Sequence, residues 1–364
     1  MDPEETTCSN RDMEAWEYYD QSRTLPFGEQ KVALLERVIE MTDADKDPYL
    51  GIVSRLDYAD ATSQTGASDR SLVAMAWLDQ RYEISPEEFH DHLRHRFLWA
   101  FKSMCSDLVQ YPNIPRSRIE SFIDDFERRI GPEEAQTVAF IKMKTLTEMG
   151  DLAAAETIRQ RYHQATRGQF DSCEACVLDF QVLMLMLQER PEDALKTAAP
   201  ILQATMRCNA VPDSTYTYLL RPWMETGQMD LAEEKLKHVR KRFRKDPQGW
   251  VYNRSFVLEY YGLTKNRRSG IPFLEASLGE ALADHAIDNK TLFCTAAVGM
   301  LSVTNPQRTM RLTRQSSLEW EDLSAQDLRD RLHTIAADGA ATLDRRNGND
   351  FFSRRLAAAN ESVL

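Results

Sequence analysis

Three cysteines near the middle of the chain have the types and spacing best suited to chemistry. Cys173 and Cys176 form a C-x-x-C pair, and Cys208 follows about one helix pair later. Thiolates spaced in this way can share a tetrahedral zinc ion, so a structural zinc joining two helical units is one reading. His163 and Asp171 are the nearest further donors in sequence, and neither completes a second C-x-x-C. Redox or disulfide chemistry is another reading, although the βαβ pattern of a thioredoxin-like site does not surround the pair. Packing is the third, because free cysteine is among the most buried residue types. Six cysteines in 364 residues are too few for a disulfide scaffold and point to reduced thiols.

A second cluster, Glu88, Asp91, His92 and His95, falls at i, i+3, i+4 and i+7, so a continuous helix brings all four onto one face. Two imidazoles and a carboxylate there suit a metal, but the H-E-x-x-H signature is absent, and an ordinary solvated face has the same pattern. A third feature is basic. Between Lys235 and Lys245 stand Lys237, Arg240, Lys241 and Arg244 among further cations, with Leu236, Val239 and Phe243 spaced to face inward. Such a band can receive an acidic partner, phosphate or RNA, or simply face solvent. Arg267 and Arg268 are candidates to extend it.

Phosphate-binding loops, the dinucleotide fingerprint, the nucleophile elbow and the kinase set are all missing. No catalytic residue is assigned, and the chain reads as a binding protein rather than an enzyme. A zinc enzyme built on the cysteines or histidines is the alternative, since catalytic residues meet in space rather than in sequence.

The elements that must hold these residues are helices. Apolar residues make up 42% and charged residues 28%, which is the composition of a folded chain. Glycine, at 14 residues, is scarce for the many tight turns of a sandwich or barrel. The net charge of −12 opposes nucleic acid and anionic membrane. The acidic start, Met1-Asp2-Pro3-Glu4-Glu5, leads into no apolar stretch, and no secretory leader is expected. The longest apolar run, residues 182–187, falls far short of the roughly 18 residues a membrane span needs. A cytoplasmic location follows as the expectation.

Self-similarity supplies the strongest organisational signal. Gly150 with Ala155, Glu189 with Ala194 and Gly227 with Ala232 repeat one pattern, a turn followed by a helix start with a small residue. The spacing predicts helical hairpins in which the turn residue ends one helix in a left-handed cap and the alanine lets the next helix approach closely. Gly28 with Ala33 is a weaker copy. Tyr216, Leu219, Leu220 and Trp223 before Gly227, and Ala232, Leu236, Val239 and Phe243 after it, give each helix one apolar stripe. With Pro247 closing the unit, this pattern resembles the tetratricopeptide repeat, although the unit is about 38 residues rather than 34. Segments around His95-Arg96-Phe97-Leu98-Trp99, Asp124-Asp125-Phe126, Asp171-Ser172-Cys173, Cys208-Asn209-Ala210-Val211-Pro212 and Arg345-Arg346-Asn347-Gly348-Asn349-Asp350 also resemble a group of bacterial tetratricopeptide-like proteins, which brings no function with it. The first resemblance implies a groove lined by the first helix of each hairpin. It places Phe140, Lys144, Asp179, Leu183, Thr217 and Arg221 in that groove. Lys144 and Arg221 suit a carboxylate there, or are paired with Asp179.

Elsewhere, helices are expected over 29–41, 68–82, 86–109 and 115–130, the last two separated by Tyr111-Pro112-Asn113-Ile114-Pro115. The Ser/Thr-rich stretch 304–317 reads as a loop. Ser324 with Asp327 opens a long amphipathic helix that would cap the stack. The expected architecture is an all-α solenoid of tetratricopeptide-like hairpins with additional terminal helices. It divides into a helical region 1–132 with degenerate repeats, a repeat array 133–300, and a loop with a capping helix 301–364. The expected function is a protein- or peptide-binding scaffold. A peptide-sensing regulator is a further alternative, but the first 58 residues lack a basic DNA-reading helix.

Overall fold

The computed structural model describes residues 10–45, 47–64, 68–245, 250–312 and 320–361. Residues 1–5, Cys8, Pro247 and residues 313–317 of the Ser/Thr-rich stretch lie outside them. Among the described residues the chain is all-α as expected, with eighteen α-helices and a single two-residue antiparallel ladder. None of these helices is long and apolar enough to cross a membrane.

Contacts divide the chain into two compact units, residues 1–107 with 124–131, and residues 108–123 with 132–364. In the first, α1 (Asn10–Thr24) pairs with α2 (Glu29–Asp45) and α3 (Pro48–Gln64) with α4 (Ser68–Ile84), and α5 (Asp91–Asp107) packs on α3 and α4. Phe97 and Phe101 stand one helical turn apart on α5 and are fully buried, Phe101 lying 5.6 Å from Phe126. Arg55 is buried with its guanidinium forked onto Asp43 at 2.6 and 2.7 Å and stacked on Trp77 at 3.9 Å. The weak repeat copy is absent here. Ala33 is exposed, and the backbone at Gly28 is almost fully extended (φ 158°), with nothing near enough to require a small residue.

The second unit is a run of hairpins. α7 (Ala135–Glu148) pairs with α8 (Leu152–Gln164), and α9 (Glu174–Leu187) pairs with α10 (Pro191–Leu202). α11 (Asp213–Tyr218) and α12 (Leu220–Glu225) together pair with α13 (Met229–Lys245), and α14 (Val251–Leu263) pairs with α15 (Arg267–Ala283). The turn chemistry is the one the sequence predicts. Gly150 and Gly227 take φ of 79° and 76°, where a β-carbon crowds the backbone. Glu189 adopts the same conformation at φ 58° without that freedom. After each turn, Ala155, Ala194 and Ala232 are completely buried against the first helix of the hairpin. A fourth copy, unrecognised in the sequence, sits at Lys265 (φ 52°) and Gly270, again five residues apart and 38 residues beyond Ala232. Its small residue is glycine because a β-carbon there would lie 2.6 Å from Met300 Sδ and 2.9 Å from Tyr261 Cβ.

The helix before Gly227 is broken rather than continuous. Pro222 has no N–H to donate to the carbonyl of residue 218, and α11 gives way to α12 at Leu219. The stretch after residue 304 also departs from a plain loop, since Thr309 and Met310 pair with Ser324 and Leu323. Ser324 caps α17 (Ala325–Asn347) as expected, its hydroxyl accepting from Asp327 N at 3.0 Å.

α17 does not end the array. It packs on α16 (Ile287–Ser302), turns at Gly348 (φ 73°) and continues as α18 (Phe351–Glu361). This corner reaches the first hairpin of the unit. Arg116 donates to the Asn347 carbonyl at 3.0 Å, Arg346 to the Val109 carbonyl at 3.0 Å, and Asn349 Nδ2 to the Met149 carbonyl at 2.9 Å. The helix expected to cap the stack thus carries the chain back to the beginning of this second unit.

Candidate functional site

The C-x-x-C pair opens α9. Cys173 is the residue before the helix and Cys176 lies in its first turn, while Cys208 comes from the loop between α10 and α11. The three sulfurs all lie within 4.8 Å of one another and can hold a metal ion. Beneath them Ala175, Ile201 and Val211 form a small apolar cluster, with Met206 packed on it. A backbone hydrogen bond from Cys208 N to the Val211 carbonyl at 3.1 Å fixes the loop. Cys173 and Cys208 are exposed and Cys176 is half-buried, so the site is open to solvent on one side.

The environment splits the thiols. The backbone N–H of Cys176, at the start of α9, favours the Cys173 thiolate and pulls its pKa below the usual thiol value. Burial and the neighbouring Cys208 and Cys173 sulfurs push Cys176 up to about 12. Three sulfurs gathered at the helix start form a set that a cation can complete.

Neither sequence-nearest donor joins the group. Asp171 accepts from Thr137 Oγ1 at 2.6 Å and from Gly168 N at 2.9 Å, which commits its carboxylate to the loop preceding α9. His163 packs edge-on against Tyr162 and contacts Arg159 at 3.3 Å. The histidine cluster on the first unit does not assemble either. Glu88 belongs to a separate 3-10 turn and is forked by Arg81, because α5 begins only at Asp91, and His95 Nε2 accepts from Trp99 Nε1 at 2.9 Å. Among the described residues the cysteine trio is the one group of three or more such ligands within reach of a shared ion.

The six groove residues divide. Arg221 is exposed but paired, its guanidinium 2.7 Å from Glu225 and 3.7 Å from Glu259. Lys144 pairs with Glu148 at 2.6 Å rather than with Asp179. Phe140 is half-buried against Phe180 and Tyr162. Leu183 and Thr217 are buried between neighbouring helices, Thr217 accepting from Asn253 Nδ2 at 2.9 Å. Asp179 receives the hydroxyls of Ser214, at 2.8 Å, and Thr215, so it ties α9 to α11.

What lies on the face formed by the first helices of the hairpins is α18. Phe351 and Phe352 pack with Leu152, Leu187 and Tyr252, and Arg355 stands 3.7 Å from Glu259 on α14. A cavity of about 250 Å³ beside α18 is lined by Glu189, Arg221, Glu259, Thr295, Gly299 and Arg355 among others. A larger, more open depression of about 740 Å³ adjoins it on the side of Asp151, Leu187 and Arg190, sharing Arg221 and Arg355. Reading the sequence by hairpin register misses this occupancy, because the helix that fills the face lies more than a hundred residues beyond the array's first turns.

No protein-family model matches the chain, and neither does any curated protein or solved structure.

The basic band forms as its spacing predicts. Leu236, Val239 and Phe243 are buried, and Lys237, Lys241 and Arg244 are exposed on the opposite side of α13. Arg240 is partly withdrawn, donating to Tyr261 Oη at 3.3 Å. His238 contacts Asp213 at 2.8 Å.

Proposed function

We propose that this chain is a cytoplasmic tetratricopeptide-like scaffold that binds a protein or peptide in the space bordering α18. The observation that carries this reading is the cavity beside that helix, walled by Glu189 of the turn between α9 and α10 and by residues of α12, α14, α16 and α18. Its charges are mixed and close together, with Glu259 lying between Arg221 and Arg355 at 3.7 Å from each. Such groups choose the register of an incoming segment more than they add affinity, while Leu263, Leu292 and Ala296 supply apolar contact. The fixed amphipathic helix α18 supports a helical ligand, since the same face already accommodates one.

The test is capture by wild-type protein against Arg221→Glu, with Lys241→Glu as a surface control. Loss of a specific partner in the Arg221 variant alone, with helicity unchanged, supports the groove. Equal capture by all three overturns it, and loss in the Lys241 variant alone transfers the interaction to the basic band.

The cysteine trio supports a second reading, in which zinc or another thiophilic ion joins α9 to the α10–α11 loop. Soft thiolates select such ions over hard cations. The ion would add its binding energy to the folded state and hold successive hairpins in register.

A further inference from the structure

We infer that Cys173, Cys176 and Cys208 form a three-thiolate site that leaves the fourth coordination position of a thiophilic cation open to a ligand from outside the chain. This rests on the metal reading of the trio and goes beyond a closed structural staple.

The sulfurs are already near the required arrangement. A tetrahedral ion with metal–sulfur bonds of about 2.3 Å holds its sulfurs about 3.8 Å apart, and here all three pairs lie within 4.8 Å. Small side-chain rotations close the difference, because Cys173 and Cys208 are exposed and unconstrained by core packing. Each thiol gives its proton to solvent as its bond to the cation forms.

A closed site needs a fourth donor, and the surroundings commit the available ones elsewhere. Asp171 is held by Thr137 and Gly168, and Glu174 accepts from Arg167 at 2.7 Å. Among the described residues no histidine, cysteine or carboxylate adds itself to the three sulfurs. Met206, packed on the apolar cluster below, is the remaining soft donor. It is engaged with that cluster, whereas Cys173 and Cys208 are exposed to solvent.

Structural zinc sites are closed by four protein ligands, and sites with three keep a position for water or an exchangeable group. The chemical class that fits here is therefore a thiophilic divalent ion carrying one monodentate donor, water at rest and an imidazole or thiolate in exchange. α13 adds a cationic flank beside the trio, with Arg242 reaching Asn209 at 3.4 Å, next to Cys208.

The experiment is titration of the reduced full-length protein with cobalt(II), followed by absorption spectroscopy before and after adding imidazole or a small thiol. The expected result is one ion per chain with thiolate-to-cobalt charge transfer, and ligand-field bands that move when the exogenous donor is added. Cys173→Ser, Cys176→Ser and Cys208→Ser should each weaken binding by at least tenfold, while His163→Ala, Asp171→Asn and Met206→Leu should retain it. Absence of binding in the wild-type protein overturns the metal reading itself. Tight binding with bands that imidazole and thiol leave unmoved, or that Met206→Leu alters, shows a closed site and overturns only the open position. Circular dichroism on each serine variant separates loss of a ligand from loss of fold.

Discussion

Phe351 of α18 covers Gly150 so closely that a β-carbon at residue 150 would lie 2.4 Å from both Cβ and Cγ of the phenylalanine side chain. Gly150 is also left-handed, so Gly150→Ala combines two effects. The backbone conformation costs about 1 kcal/mol for a residue with a β-carbon, and displacing a seated aromatic costs about 1–3 kcal/mol more. Gly227 has the same backbone but nothing within 4 Å of its would-be β-carbon. Urea unfolding should therefore show Gly150→Ala losing at least about twice the stability lost by Gly227→Ala. Equal losses would mean that α18 is not docked on the first hairpin.

Glu134 is almost completely buried, and its carboxylate accepts from Gln169 N at 2.7 Å and Phe170 N at 3.1 Å, with Thr137 Oγ1 3.0 Å away. It fixes the loop that leads into Cys173. Replacement by alanine leaves the Gln169 and Phe170 amides without their acceptor, while Thr137 keeps Asp171, and costs about 2–4 kcal/mol. Hydrogen exchange at the amides of Gln169 and Phe170 should accelerate in Glu134→Ala well before the rest of the unit does. Unchanged protection at those two amides would remove Glu134 as the anchor.

Asp344 caps α18 from the preceding helix, its two carboxylate oxygens accepting from Phe352 N and Ser353 N at 2.9 Å each. Asp344→Ala removes a charged cap, worth about 1–2 kcal/mol, from the helix that occupies the hairpin face. The expected outcome is increased protease sensitivity and amide exchange confined to residues 351–361. Exchange that rises uniformly across the second unit would instead make α18 part of one cooperative core.

The hairpins were legible because each turn states its own physics. Gly150 and Gly227 announce a left-handed cap, and Ala155, Ala194 and Ala232 announce a close approach five residues later. The fourth copy was hidden because Lys265 takes the left-handed position and Gly270 the small one, reversing the residue types while keeping the geometry. The cysteine trio was legible as a spacing, but its missing fourth donor depends on where Asp171 spends its hydrogen bonds. The corner Arg346-Asn347-Gly348-Asn349 stood out as a motif without a role. Its role is long-range, binding carbonyls at Val109 and Met149 more than two hundred residues and two hundred residues away, and periodicity carries no record of such a contact. The same limit explains why Asp179, Leu183 and Thr217 fell on a register that suggested the groove. Their neighbours in space, Ser214, Thr215 and Asn253, belong to the following hairpins.

Asp179 makes the junction of α9 with α11 sensitive to pH. Burial raises its carboxyl from 3.8 to about 6, against the opposing pull of the Thr215 and Ser214 hydroxyls. Between those two values the folded state holds a proton that the unfolded chain has released, so stability falls as pH rises through this window. A shift of about two units corresponds to roughly 3 kcal/mol at most, present near pH 4 and lost above pH 6. Asp179→Asn keeps an acceptor for the hydroxyls and removes the charge. Its Tm should match the wild-type value near pH 4.5 and exceed it near pH 7.5, the gap opening between pH 5 and 7. Buried Asp288, raised to about 6 as well, remains in both proteins and cancels in the comparison. Parallel Tm profiles would show that the carboxyl of residue 179 ionises as freely in the fold as in the unfolded chain, and that its two hydroxyl partners fully offset its burial.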